Sequence, residues 1–145
     1  MDAYEHSMAL CRYIRTPDCS PAEVERLWRQ AFEAVLIAQR FTRRAIDWMW
    51  EELAMGCWKR LWPTDEEKER TAGEWLREFA GDVFYCSDRW SLDRLARCHW
   101  AWRRYMEAVG MMDTKIASDC DGRYVPHRCQ YCCWWTLCAR KAVKR

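Results

Sequence analysis

The sequence predicts an all-α fold, a three-helix bundle with a long first helix over about 21–61 and an irregular, cysteine-rich C-terminal tail. Three observations carry this. Glycine and proline are sparse, five and four in 145 residues, so the breakers that a loop-rich fold requires are missing. Apolar residues recur at three- and four-residue steps over long proline-free stretches. No stretch alternates with the period of a strand, and no internal repeat is visible.

Taken in order, residues 1–19 hold Cys11, Pro17 and Cys19 and read as an N-terminal arm with at most a short helix. Ser20-Pro21-Ala22-Glu23 starts the first main helix: Ser20 can cap, Pro21 suits the first turn, and Glu23 completes a capping box. From there to Leu61 no proline occurs. Val24, Leu27, Trp28, Ala31, Phe32, Val35, Ala38, Ala45, Ile46, Met49 and Leu53 form one wide apolar stripe. Trp62-Pro63 ends it, because the residue before proline disfavours helical dihedrals. A second capping box, Thr64-Asp65-Glu66-Glu67, precedes a helix with Trp75, Leu76, Phe79 and Val83 on its apolar face. A break near Cys86 to Asp88 follows. Ser91 or Asp88 then caps a third helix to Val109, which Gly110 stops. The bundle thus occupies residues 20–110 and the tail residues 111–145.

Eleven Trp and ten Cys are far above ordinary usage. Met1 to Arg15 lacks the pattern of a secretory signal, and no run of about 18 uncharged apolar residues exists to span a membrane. A reducing compartment is therefore expected, with thiols bound to metal or buried rather than bridged. The net charge of +2 selects no partner, but its distribution is uneven. After Asp121 there is no acid, while Arg123, Arg128, Arg140, Lys141, Lys144 and Arg145 follow.

The run His127-Arg-Cys129-Gln-Tyr-Cys132-Cys133-Trp134-Trp135-Thr-Leu-Cys138 carries the most chemistry. Zinc takes four nitrogen or thiolate ligands in a tetrahedron, and Cys129 and Cys132 have the spacing that presents two thiolates together. His127 and Cys138 complete a shell, with Cys120 in reserve and His99 as a further ligand that would clamp the tail onto the third helix. Structural Zn2+ is the expected cofactor. Two other readings stand beside it: reduced, half-buried thiols next to a Trp pair, or acylated cysteines on an anionic membrane surface, helped by Trp134, Trp135, Arg140, Lys141, Lys144 and Arg145. The same basic residues and interleaved rings suit RNA through phosphate contacts and stacking.

Trp28, Trp75 and Trp102 belong to apolar stripes. Trp48, Met49 and Trp50 are consecutive and cannot all face one core; the same holds for Trp58 with Trp62 and for Trp100 with Trp102. Some rings are therefore expected at the surface as partner-binding anchors, unless the bundle or a homodimer absorbs them. Catalytic equipment is thin. No phosphate loop, His-Glu-x-x-His or nucleophile elbow occurs, and Cys98 and His99 point about 100° apart on one helix. The chain is read as non-enzymatic.

These features resemble small lentiviral accessory and regulatory proteins. The order of helices followed by His127, Cys129 and Cys132 is similar to the Trp-rich, zinc-closed bundles of the Vpr/Vpx group. The run from His127 to Lys141 resembles the cysteine-rich and basic regions of Tat, and Arg44-Ala-Ile-Asp-Trp48-Met-Trp50 is similar to a segment of small-ruminant lentiviral proteins. Ser91-Leu92-Asp-Arg-Leu95-Ala96 resembles the box through which Vif engages elongin, with Asp93 in place of glutamine. The resemblance implies an adaptor in the host cytoplasm or nucleus that binds host proteins, among them elongin/cullin-type ubiquitin ligase subunits. If that box is real, Leu92, Leu95 and Ala96 must be accessible.

Overall fold

The structure is a computed structural model and describes residues 1–54 and 70–111. Among these residues the chain is all helical. The five helices among the described residues are α1 (Ala3–Ile14), α2 (Pro21–Ala38), α3 (Arg43–Ala54), α4 (Ala72–Cys86) and α5 (Leu92–Ala108).

The first nineteen residues are more than an arm. Asp2 caps α1 by accepting the Glu5 N–H at 2.8 Å, and Ser7, Leu10 and Cys11 share its buried face. That face packs against α2 and α4. The Cys11 thiol donates to the Ala80 carbonyl at 3.6 Å. Sequence patterning underrates α1 because its apolar stripe is short and its centre is a serine, whose hydroxyl is satisfied by the Ala3 carbonyl at 2.8 Å.

Helix α2 starts where expected, with Pro21 in its first turn and Ser20 at the cap position. The capping box does not form: Ser20 makes no side-chain cap bond, and Glu23 instead pairs with Arg26. Val24, Trp28, Ala31, Phe32 and Val35 of the expected stripe are buried and Leu27 is half-buried; Ala38 at its end is exposed, and Leu36, outside the stripe, is buried instead.

The continuous helix over 21–61 is corrected. It stops at Ala38, and α3 begins at Arg43. Arg40 lies in the left-handed region at φ 68°; its N–H reaches the Ile37 carbonyl at 2.9 Å, and the Phe41 N–H reaches that of Leu36 at 3.0 Å. This pair of bonds is a Schellman ending, which usually employs glycine. Thr42 then caps α3 by accepting the Ala45 N–H at 3.2 Å. Arg29 reaches both Glu33 (2.7 Å) and Asp47, and Arg43 reaches Glu33 (2.9 Å), so ion pairs tie α2 to α3 around the corner.

The expected start of the next helix at Thr64 lies outside the described residues. Helix α4 is capped by a box that the sequence reading passed over: Thr71 accepts the Glu74 N–H at 3.3 Å, and Glu74 accepts from the Thr71 N–H at 3.5 Å. Trp75, Phe79 and Val83, one turn apart, are buried. The break near Cys86 is present, as Ser87–Trp90, and Ser91 caps α5 through the Arg94 N–H at 3.3 Å. Gly110, at φ 75°, ends α5 in a second Schellman arrangement, with bonds from Gly110 to Glu107 (3.1 Å) and from Met111 to Met106 (3.0 Å).

Candidate functional site

Helix α5 is covered on nearly every side. Leu95, Ala96, Cys98, His99, Trp100, Ala101, Trp102, Arg103, Tyr105 and Met106 are all buried, because α4 packs on one face while α3 and Trp28 of α2 reach others. This corrects the expectation that Trp100 and Trp102 cannot both be internal. They do point in different directions, yet each meets another helix. Trp100 (2 % exposed) meets Trp75 edge-on at 5.3 Å, and Trp102 (0 %) meets Trp50 at 4.8 Å. Arg97 lies over the Trp100 ring at 4.3 Å and Arg29 over the Trp50 ring at 4.8 Å, so guanidinium groups seal the outer faces of two of these rings.

Of the two α3 tryptophans expected at the surface as partner-binding anchors, only Trp48 is there, and Trp50 is corrected to the core, where it meets Phe32, His99 and Trp102. Met49 and Trp50 turn inward with Ile46, whereas Trp48 is 45 % exposed. Phe84 and Tyr85, on the last turn of α4, are also exposed and stack edge-on at 5.5 Å. Neither was singled out from the sequence.

His99 occupies the centre of the aromatic cluster, with ring centroids of Phe32, Trp50 and Trp102 at 5.1, 4.6 and 4.9 Å. Its Nδ1 accepts the Trp28 indole N–H at 2.9 Å, so the neutral ring carries its proton on Nε2. Burial, followed by Arg103 and Arg29, pushes its pKa well below the usual histidine value; a weaker backbone hydrogen bond with Trp50 opposes the shift. With its Nδ1 lone pair taken by Trp28 and its proton on Nε2, the fully buried His99 ring has no lone pair for a metal, which corrects its expected role as a clamp on the tail. Among the described residues no three His, Cys, Asp or Glu side chains gather as a metal site. His127, Cys129, Cys132, Cys138 and Cys120 lie outside those residues, as do Trp58, Trp62, Trp134, Trp135, Arg140, Lys141, Lys144 and Arg145.

The condition set for the elongin-like box is not met. Leu95 and Ala96 are fully buried, and Leu92 is only partly exposed. Ser91 is exposed but is occupied as the cap of α5. In this sequence Leu-x-x-Leu-Ala is the inner face of a central helix, and core packing accounts for the pattern.

A cysteine pair was missed. Cys86 ends α4 and Cys98 sits on α5, and the short link 87–91 folds one helix back on the other. Cys98 is fully buried, whereas Cys86 is half-buried. The Cys98 thiol, helped by Arg94 and opposed by burial and by Asp82 and Asp88, lowers the Cys86 pKa from 9.0 to about 7. Burial, followed by Cys86, pushes Cys98 well up. Nearby, burial raises Asp82 to about 6, with Arg97 opposing and Glu78 adding to the rise. Only the tertiary contact makes the two cysteines a pair; their separation in sequence matches no ligand or redox motif.

No protein-family model matches this chain, and no curated protein or solved structure matches it. Among the described residues no helix is long and apolar enough to cross a membrane.

Proposed function

We propose that this chain is a non-catalytic adaptor that holds protein partners through aromatic side chains its core does not take up. Trp48 carries the reading. It is a large indole, 45 % exposed, on a helix whose opposite face is anchored by Ile46, Met49 and Trp50. A rigidly mounted, half-exposed Trp loses little freedom on binding and is the residue type most often found at interface hot spots. Phe84 and Tyr85 offer a second exposed aromatic pair. The likeness to lentiviral accessory proteins implies that the partners are host proteins. Zinc belongs to the same reading as a structural ion of the tail, resting on the density of His127, Cys129, Cys132, Cys138 and Cys120 in the sequence. Ligase recruitment through Leu95 and Ala96 is not part of it, since those side chains are closed in the core.

The experiment is capture of proteins from host-cell extract on the full-length chain, with Trp48→Ala and Phe84→Ala/Tyr85→Ala run in parallel. At least one partner lost with Trp48→Ala, with helicity unchanged, supports the adaptor. An identical set of proteins on all three baits overturns it. RNA retention that falls steeply with salt would replace it by the nucleic-acid reading of the basic tail.

A further inference from the structure

His99 is fully buried, yet histidine is the side chain whose charge ordinarily changes between pH 5 and 8. Three helices meet on its ring. Trp28 of α2 donates to Nδ1 at 2.9 Å, the Trp50 ring of α3 lies 4.6 Å away, and Trp102 of its own helix closes a third side at 4.9 Å. The neutral ring fits this cage and the cation does not. A protonated Nδ1 would turn its N–H toward the Trp28 N–H, donor against donor. The new charge would also share the core with the guanidinium groups of Arg29 on α2 and Arg103 on α5. The carboxylates at hand are already engaged: Arg29 pairs with Glu33 and with Asp47 of α3, and Arg103 pairs with Glu107 at 3.1 Å. Attraction to the surrounding ring faces offsets only part of the cost of a buried charge.

The weakest wall of the cage is α3. Trp50 is 8 % exposed, whereas Trp28, Phe32 and Trp102 are fully buried. Among its described side chains, α3 inserts only Ile46 and Met49 besides Trp50. Its link to α2 turns on Arg40, whose left-handed backbone makes residues 39–42 a corner distinct from both helices and suited to act as a hinge.

We propose that His99 is an acid-operated latch on α3: protonation of its ring breaks the bond from Trp28, and α3 swings out at the 39–42 corner, withdrawing Trp50 and letting water reach the imidazolium. When the pH returns to neutral the ring gives its proton back to water, Nδ1 accepts from Trp28 again, and α3 closes. The open state takes up a proton that the closed state excludes, so opening grows as pH falls below the ordinary histidine value of 6.5. Asp82 titrates in part of the same window, but it faces Arg97 across α4 and α5, and its raised value gives the opposite sign. The latch concerns how α3 is held and not what Trp48 binds, so it stands apart from the adaptor reading.

The test is amide hydrogen exchange of the full-length chain at a series of pH values from about 7.5 to about 5, corrected for intrinsic exchange rates and resolved by peptide mass spectrometry. Protection of α3 should fall about thirtyfold over that range and bend near pH 6.5, the factor gained by an open state that binds one proton at the ordinary histidine value. At the acid end α3 should be at least about tenfold less protected than α5, and dilute urea should accelerate its exchange less, the mark of a local opening. His99→Phe should hold α3 protection nearly constant across the same range. A flat wild-type profile, equal protection of α3 and α5 at the acid end, or the same acid loss in His99→Phe would overturn the proposal. The first two are read on the wild type, so a misfolded variant leaves the test intact.

Discussion

The indole N–H of Trp28 donates to Nδ1 of His99 across 2.9 Å, joining α2 to α5 at the centre of the core. Both side chains are fully buried. The bond satisfies a donor and an acceptor that water cannot reach, and it selects one histidine tautomer among four aromatic neighbours.

Removing the donor should be costly. Trp28→Phe leaves Nδ1 without its indole partner and opens space beside Phe79, whose ring lies 5.1 Å from that of Trp28. An unsatisfied buried acceptor costs about 1–3 kcal/mol, and the lost volume adds to it. A fall of roughly 2–4 kcal/mol in urea denaturation is expected. Trp28→Phe/His99→Phe should lose less than the sum of the single variants, because an apolar pair leaves no polar group stranded.

Two groups give opposite pH dependences. His99 has a folded-state pKa well below the unfolded value of 6.5, so below that pH the unfolded chain takes up a proton the folded chain refuses, and stability falls as pH falls. Asp82 is raised from 3.8 to about 6, so across that window the folded chain keeps a proton the unfolded chain has released, and stability falls as pH rises. Thermal melts of His99→Phe should show a shallower loss on the acid side. Asp82→Asn should remove the loss between pH 3.8 and about 6. Profiles unchanged from wild type in both variants would contradict the assignment.

The corner between α2 and α3 is strained. Arg40 holds φ at 68°, which costs a non-glycine residue about 1 kcal/mol. Arg40→Gly should be neutral or stabilising by up to about 1 kcal/mol, since the extra chain entropy of glycine offsets part of the relief. Arg40→Val should destabilise, because a β-branched residue tolerates this conformation poorly. Chemical denaturation of the two variants decides it.

Leu95→Arg separates packing from recognition. A charge placed on the fully buried face of α5 should unfold the chain or cost several kcal/mol, seen as lost cooperativity in the melt. Trp48→Ala, at an exposed site, should shift stability by no more than about 0.5 kcal/mol. If Leu95→Arg kept a wild-type melt, the burial of that face would be wrong.

The two Schellman endings show what local chemistry reveals. At Gly110 the left-handed residue is glycine, and the end of α5 can be read from the sequence. At Arg40 the same geometry is imposed on an arginine, and nothing local distinguishes 38–43 from helix interior. The apolar stripe continues in phase across the corner, since Val35 and Leu36 before it and Ile46 and Met49 after it are all buried. Period alone therefore merges two helices that tertiary packing separates.

Helical class, the Pro21 start, the Ser91 cap, the Gly110 stop and the outward turn of Trp48 were all determined by the sequence itself, because caps, breakers and the 3.6-residue period act within a few residues. The tertiary structure alone decided that α5 is central. Hence Trp100, Trp102 and Trp50 are all internal, Leu95 and Ala96 are closed, and His99 is held neutral by its burial, by Arg103 and Arg29, and by the Trp28 bond to Nδ1. Burial depends on what covers each face of a helix, and residues distant in the chain supply that cover.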